Sequence, residues 1–232
     1  MYNESAIVRE TIATYTSALE CIAGGDYELV LCDDGSSDGC ADLARAVGHP
    51  NVKVVGYAEN RGKGCAVRTA VMAAAGEIIL YTDCDNAYGT DKIAEVLAKF
   101  DAEPDTDIVI GSRNVDKSGY EGYTFVRKLA SKTYILVLKL AAGLKHSDSQ
   151  CGFKAFRRDA ARDIFRRAQT DRFAFDIEVL MLADKLGYKV SELAVSVINH
   201  RESESKVHIL RDTAVMLGDL KRIKKHVKEN TK

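Results

Sequence analysis

The sequence predicts an α/β fold, a three-layer sandwich on a mostly parallel central sheet, and three observations lead there. Short β-rich runs alternate with longer segments of helical periodicity through the first half of the chain. Alternation at this spacing implies parallel strands covered by helices on both faces. The unusual residues fall where β-rich runs end: Asp33-Asp34-Gly35, Asp83-Cys84-Asp85 and Gly111-Ser112-Arg113. In open parallel sheets, ligands bind beyond the carboxyl ends of the strands. Finally, 232 residues, 46% hydrophobic and 29% charged, suit one globular domain with a sizeable core, spanning 1–232.

Taken in order, the expected strands are Tyr27–Asp33, Asn51–Tyr57, Glu77–Asp83 and Asp107–Ser112. Between them, Ala, Leu, Ile and Val recur at helical spacing near 4–23, 38–48, 63–75 and 90–100. The second half opens with a long pattern, from about Tyr123 to Leu144, that mixes apolar residues with Arg127, Lys128, Lys132 and Lys139. A short strand at 152–156, helices near 158–168 and 174–186, an extended run at 188–199 and a basic helix near 207–228 complete the reading. One element is missing. A doubly wound sheet normally begins with a central strand, yet this sequence goes from Met1-Tyr2-Asn3-Glu4 straight into a helical pattern. The expectation is a start at an internal methionine or a shortened chain, stabilised thermally by an upstream β-rich segment.

The net charge of −1 hides an asymmetry. Residues 1–110 hold 8 Lys and Arg against 19 Asp and Glu, whereas residues 111–232 hold 25 against 15. Either the basic residues simply solvate a surface, or a metal site adjoins an anion- or membrane-facing one. The six cysteines are scattered without CxxC spacing and read as free thiols rather than disulfides or a zinc site. No stretch approaches the roughly 20 apolar residues that span a bilayer, and no signal peptide is visible. That places the chain in the cytoplasm, with peripheral contact on the cytoplasmic membrane face. The long 123–145 pattern suits either an interfacial helix or a core helix with snorkelling lysines.

Several motifs carry chemistry. Asp33-Asp34-Gly35-Ser36-Ser37-Asp38-Gly39 follows a buried-type strand; its glycines permit a tight turn, and a carboxylate there can accept hydrogen bonds from a base or ribose. Asp38 is the natural cap of the next helix. Asp83 and Asp85 would repel each other unless a cation lies between them, and hard oxygen ligands suit Mg²⁺ or Mn²⁺; the alternative is an exposed acidic turn. Asn60-Arg61-Gly62-Lys63-Gly64 offers glycines, backbone N–H groups and two cations ahead of a helix, an anion site without P-loop spacing. Asp148, Asp176 and Glu178 sit among apolar neighbours and must be paired, bind a ligand or cap a helix. Asp176 in particular stands at a helix start.

In this order, Tyr2-Asn3-Glu4, DDGSSDG, NRGKG, the DCD pair, GSR, DSQCGFK, FAFDIE and Ser205-Lys206 resemble the family-2 glycosyltransferases of the GT-A (Rossmann-like) fold. The similarity is greatest to the dolichyl-phosphate glucosyltransferase and mannose synthase branch, and it covers nearly the whole chain. The resemblance implies a nucleotide-sugar-binding half at 1–110, an acceptor half at 111–206 and a basic C-terminal helix at 207–232. Tyr2, Glu4, Asp33, Asp34, Arg61, Lys63 and Asp83 would hold the nucleotide-sugar, and Asp83 with Asp85 the metal and diphosphate. Arg113, Arg127 and Ser131 match positions that receive a lipid phosphate; Arg201, Ser205 and Lys206 fall in a loop over the diphosphate, with His200 competing for Arg201's place.

The implied reaction is an inverting, metal-assisted displacement that moves a hexose to a polyprenyl phosphate, with Asp85, Arg113 and Asp176 as catalytic candidates. An acceptor hydroxyl would need a general base, for which Asp176 is the candidate. Ala87, where the mannose branch often carries glutamine, points to UDP-glucose. Rival readings are a hydroxyl acceptor, a nucleotidyltransferase, or an inactive nucleotide-sugar-binding protein. Nucleic-acid binding gains no support, since the basic half lacks interleaved aromatics.

Overall fold

The computed structural model describes residues 1–116, 133, 139–198 and 209–231. Within these, β1 (Leu29–Asp34), β2 (Val52–Tyr57), β3 (Ile78–Tyr81) and β4 (Ile108–Ser112) alternate with α1 (Val8–Ala23), α2 (Cys40–Arg45), α3 (Lys63–Ala73) and α4 (Asp91–Ala102). Then follow β5 (Lys154–Arg157), α5 (Arg158–Arg167), α6 (Phe175–Leu186), β6 (Val190–Ala194) and α7 (Ile209–Asn230). Among the described residues the expected order is found, most elements being shorter than expected. α1 starts at Val8 because the Glu4 carbonyl first accepts the Ile7 and Val8 amides in a turn. It stops at Gly24, whose left-handed φ of 55° lets its N–H return to the Glu20 carbonyl.

Among the described residues the sheet falls into two pieces, β1–β2 and β3–β5–β4–β6. β1 and β2 run parallel, Leu29 opposite Val52 through Asp34 opposite Tyr57. β4 and β6 also run parallel, Ile108 opposite Val190. β5 is the exception to the parallel rule. It is antiparallel to both neighbours, with Lys154 opposite Tyr81 and Ile110. A strand in this sense starts where β3 and β4 end, so the loop leading into it crosses the carboxyl edge of the sheet. That one reversal delivers the 147–153 loop to the site.

The core packs around the strands that carry the site. β4 is buried at every position, as a strand sandwiched between helical layers should be. Tyr81, Phe156, Phe165 and Phe175 form an aromatic knot, with Tyr81–Phe156 centroids 6.0 Å apart and Phe156–Phe165 5.5 Å apart near perpendicular. α6 is buried from Phe175 through Ala183, the pattern of a helix enclosed all round. α7 is amphipathic. Leu220, Ile223 and Val227 pack inward while Lys221, Arg222, Lys224, Lys225 and Lys228 face out. All six cysteines are free. No helix among the described residues is long and apolar enough to cross a membrane. Of the long 123–145 pattern only residues 133 and 139–145 lie within the described residues, helical at 133 and 139–142.

Candidate active site

The carboxyl ends of β1 and β3 open into one cleft that gathers Tyr2, Glu4, Asp34, Lys63, Asp83 and Asp85. Each gets there by a local device. Asp34 ends β1 and is buried, yet its carboxylate is well satisfied: the Tyr57 hydroxyl (2.6 Å), the Asn60 amide (2.8 Å) and the backbone N–H groups of Arg61 (2.9 Å) and Gly62 (3.0 Å) all donate to it. A buried carboxylate is tolerated only with such partners. Asp34 therefore shapes the 57–62 loop, presenting Lys63 to the cleft and leaving Arg61 beside it. Gly35 (φ 71°) is required here, since a Cβ would stand 2.5 Å from the Asn60 nitrogen. Asp33 turns the other way and accepts from the Ser36 hydroxyl at 2.5 Å.

At the end of β3, Asp83 pairs with Lys63 (Nζ to Oδ1 2.5 Å). Burial alone would lower the Lys63 ammonium, but the carboxylates of Asp83, Asp176 and Asp85 outweigh it and hold that ammonium above its ordinary value. Gly152 lies directly over this pair. A Cβ there would meet Asp83 Oδ2 at 2.5 Å and Lys63 Nζ at 3.2 Å, so only glycine lets the incoming β5 loop sit so close. Asp85 accepts the Ala87 amide through Oδ1 at 3.2 Å.

Two buried ion pairs brace this floor. Arg113, at the end of β4, forks onto Asp148 (Nε to Oδ2 2.7 Å, Nη2 to Oδ1 3.0 Å), and the Asp148 side chain is fully buried. Burial would raise the Asp148 carboxyl, but the guanidinium beside it keeps it below its usual range. Behind β3, Asp176 Oδ1 accepts from Lys154 Nζ (2.6 Å) and from the Tyr81 hydroxyl (2.7 Å), and Lys154 is wholly buried. Burial, then the charge of Asp176, pushes the Tyr81 phenol well above its ordinary value.

The donor set suits a hard divalent cation. Asp83 and Asp85 offer carboxylates two residues apart, and the neighbouring Asn86 Oδ1 is buried without a hydrogen-bond partner among the described residues. No group of three His, Cys, Asp or Glu side chains gathers among the described residues. A cation here would complete its shell from ligand oxygens.

Comparison with known proteins gives this geometry a family. The Glycosyl transferase family 2 model matches residues 1–165. The chain belongs to glycosyl transferase family 2. Among family members, it is 32% identical over 208 residues to the dolichyl-phosphate beta-glucosyltransferase of Dictyostelium discoideum, covering 85% of this chain and 62% of that one. To the Drosophila melanogaster protein of the same name it is 33% identical, covering 84% and 64%. The chain thus spans less than two thirds of these relatives' length. In structure it is similar to glucosyl-3-phosphoglycerate synthase from Mycobacterium tuberculosis, with a TM-score of 0.67 at 19% identity, covering 95% of this chain and 77% of that chain. A complex of that enzyme with Mn²⁺, uridine diphosphate and glucosyl-3-phosphoglycerate gives 0.65 at 19%, covering 96% and 75%. These likenesses establish the GT-A α/β fold.

Of the family motifs singled out in the sequence, those at Tyr2, Glu4, Asp34, Lys63, Asp83 and Asp85 converge on the cleft. Arg61 lies beside it, ion-paired with Asp171 at 3.4 Å and over the Tyr57 ring. Arg113 and Asp176 sit in the two buried pairs rather than among the residues lining the cleft. Arg127, Ser131, His200, Arg201, Ser205 and Lys206 lie outside the described residues. The reading of Asp176 as a helix cap does not hold: it is the second residue of α6, whose start has no side-chain cap bond. Asp38 does hold a helix-start amide, that of Cys40 (3.1 Å), and also that of Ser5 (2.7 Å). Slight burial would raise its carboxyl, but these two amides bring it down to about 2. Sequence reasoning missed Tyr81, and it missed that Lys154 is buried. A lysine between Phe153 and Phe156 in an apolar strand was the available signal.

Proposed function

We propose that this chain is an inverting glucosyltransferase that moves glucose from UDP-glucose to a polyprenyl phosphate of the dolichyl type at a membrane surface. The carrying observation is the Lys63–Asp83–Gly152 contact at the carboxyl end of β3, with Asp85 alongside, set in a cleft that also takes in Tyr2, Glu4 and Asp34. The dolichyl-phosphate beta-glucosyltransferase relatives support the sugar and the acceptor class, and the M. tuberculosis enzyme bound to Mn²⁺ and UDP-glucose supports the donor.

In this reading Tyr2, Glu4 and the Asp33-Asp34 turn hold the base and ribose, with Lys63 and, beside the cleft, Arg61 near the diphosphate. Asp83 and Asp85 would hold a Mg²⁺ or Mn²⁺ ion, which would supply neutralisation of the diphosphate charge. Lys63 contributes from the protein side, its ammonium already held charged by the carboxylates around it. An acceptor phosphate oxygen attacks the anomeric carbon, the bond from that carbon to the diphosphate breaks, and the nucleotide diphosphate leaves with its electron pair. The acceptor is anionic from the start and needs no strong base.

Asp176 favours this acceptor over a hydroxyl. Its Oδ1 already accepts from an ammonium and a phenol, which suits a fixed anion better than a proton carrier. Arg113, with Arg127 and Ser131, is our candidate for the acceptor phosphate, approached from within its pair with Asp148; Arg201, Ser205 and Lys206 are candidates for the diphosphate loop. The outward cations of α7 suit peripheral contact with anionic lipid, on the cytoplasmic face.

The test supplies the chain with UDP-glucose or GDP-mannose, Mn²⁺ or Mg²⁺, and polyprenyl phosphate in anionic vesicles, and follows labelled sugar into the lipid. Glucose transfer from UDP-glucose, lost in Asp85→Ala, is expected. Transfer from GDP-mannose alone, or to added hydroxyl acceptors only, would overturn the reading.

A further inference from the structure

α6 opens with two carboxylates, Asp176 and Glu178, whose spacing sets them about 200° apart around the helix axis. Asp176 faces Lys154 and Tyr81. Glu178 faces the other way, and the chemistry above leaves it unused. It is 1% exposed. His226 of α7 lies 3.7 Å from its Oε1 but is engaged elsewhere, its Nε2 donating to the Arg167 carbonyl at 2.8 Å. Backbone holds the Glu178 carboxylate instead: the Gln169 and Thr170 N–H groups both donate to Oε2, at 3.0 and 2.7 Å. These amides follow the end of α5, where the chain turns extended at Ala168 (ψ 134°), and need an acceptor that no helix supplies.

The loop fixed in this way lies directly on the start of α3. Its Asp171 carbonyl accepts the Cys65 N–H at 3.1 Å, taking up a first-turn donor that has no partner within the helix. The Asp171 carboxylate takes Arg68 and, at 3.4 Å, Arg61. Backbone meets backbone here. A Cβ on Gly62 would stand 2.7 Å from the Asp171 carbonyl oxygen, and one on Gly64 would run into the carbonyl oxygens of Thr170 and Arg172. The 61–65 segment is thus gripped from two sides. Asp34 holds the Arg61 and Gly62 amides from the end of β1, and the 169–172 loop closes on the segment from α6. Lys63 stands in the middle of it, its ammonium on Asp83.

We propose, on the donor reading given above, that Glu178 is a positioning residue for the nucleotide diphosphate. It touches no substrate. By accepting two amides it sets the 169–172 loop, and the loop sets the backbone from which Lys63 reaches Asp83. The two amides require an acceptor rather than a charge, so a neutral carbonyl oxygen in the same place serves as well.

The experiment compares wild type with Glu178→Ala, Glu178→Met, Glu178→Gln and Phe100→Leu. Methionine keeps the volume without accepting, and glutamine keeps a carbonyl oxygen. Phe100→Leu loosens a separate apolar cluster, that of α4 and β4. UDP is titrated calorimetrically in Mn²⁺, and amide exchange is followed at Cys65. Glu178→Ala and Glu178→Met are expected to bind UDP at least about tenfold more weakly, with the Cys65 amide exchanging at least about tenfold faster. Glu178→Gln is expected within about threefold of wild type in affinity, and Phe100→Leu within about twofold despite a lower Tm. If the alanine variant does not fold, the methionine variant carries both measurements. Unchanged UDP affinity or unchanged Cys65 exchange would overturn the proposal. So would an equal loss of affinity in Phe100→Leu, which would make the effect one of general stability, or no recovery in Glu178→Gln. Wild type that binds no UDP would defeat the donor reading instead, while Cys65 exchange still decides whether Glu178 holds the loop.

Discussion

Replacing Asp176 by Ala strands the Lys154 ammonium in the core, and the structure sets the scale of the loss. Lys154 has no exposed side-chain surface, and its ammonium is held by the Asp176 carboxylate and the Cys151 carbonyl. Removing one partner of a buried ion pair costs about 3–5 kcal/mol, mostly because the remaining charge is left uncompensated. The Tyr81 hydroxyl also loses its acceptor, adding about 1 kcal/mol or more. For a chain of this size a loss of about 4 kcal/mol lowers Tm by about 8–16 °C. The double variant Asp176→Ala, Lys154→Met removes both charges and should be more stable than Asp176→Ala alone, with a coupling of at least about 1.5 kcal/mol. Urea unfolding of wild type, both single variants and the double variant closes the cycle. Additive losses, or a loss below about 1 kcal/mol for Asp176→Ala, would refute the buried-pair account and return Asp176 to the list of accessible bases.

Gly152→Ala should shift the Lys63–Asp83 pair while changing Tm little, so calorimetric titration should show weaker metal-dependent nucleotide binding. Unchanged affinity would mean that the close approach over Asp83 has no role in binding. Asp34→Ala leaves the donors of Tyr57, Asn60, Arg61 and Gly62 without their acceptor; a stability loss of about 2–4 kcal/mol and faster amide exchange across 60–64 are expected. Arg113→Ala leaves Asp148 buried and unpaired, and its destabilisation should shrink as pH falls. The sign follows from the folded carboxyl being held low: in wild type its contribution is full above the unfolded carboxyl value of about 3.9 and is lost as pH drops through the folded one. Unfolding titrations at pH 7 and pH 3.5 check this, and a constant difference would contradict it.

Much of this protein was legible in its sequence because periodicity and turn chemistry are local. Helical spacing gave α3, α5 and α6 to within about two residues at their starts, an Asp-Gly cluster marked the end of β1 and the Asp83–Asp85 pair marked that of β3. The antiparallel sense of β5 was not legible. It is set by pairing with β3 and β4, both distant in sequence, and no local pattern in Lys154–Arg157 encodes direction. The division of labour among carboxylates was equally hidden. Asp33 and Asp34 are adjacent and chemically alike, yet only Asp34 is buried by the 57–62 loop, because Gly35 allows the Asn60 backbone to come within contact of the turn. Sequence spacing also could not show that Arg113 and Asp148, 35 residues apart, lock together, or that Tyr81 and Lys154 share one oxygen of Asp176.

The most direct test of the central claim is a calorimetric titration of UDP and then GDP into the chain, with and without Mn²⁺, in wild type and Asp83→Ala. The account predicts UDP binding that requires the metal, exceeds GDP binding, and disappears in Asp83→Ala. UDP binding that is indifferent to both the metal and the Asp83 substitution would contradict the site assigned here.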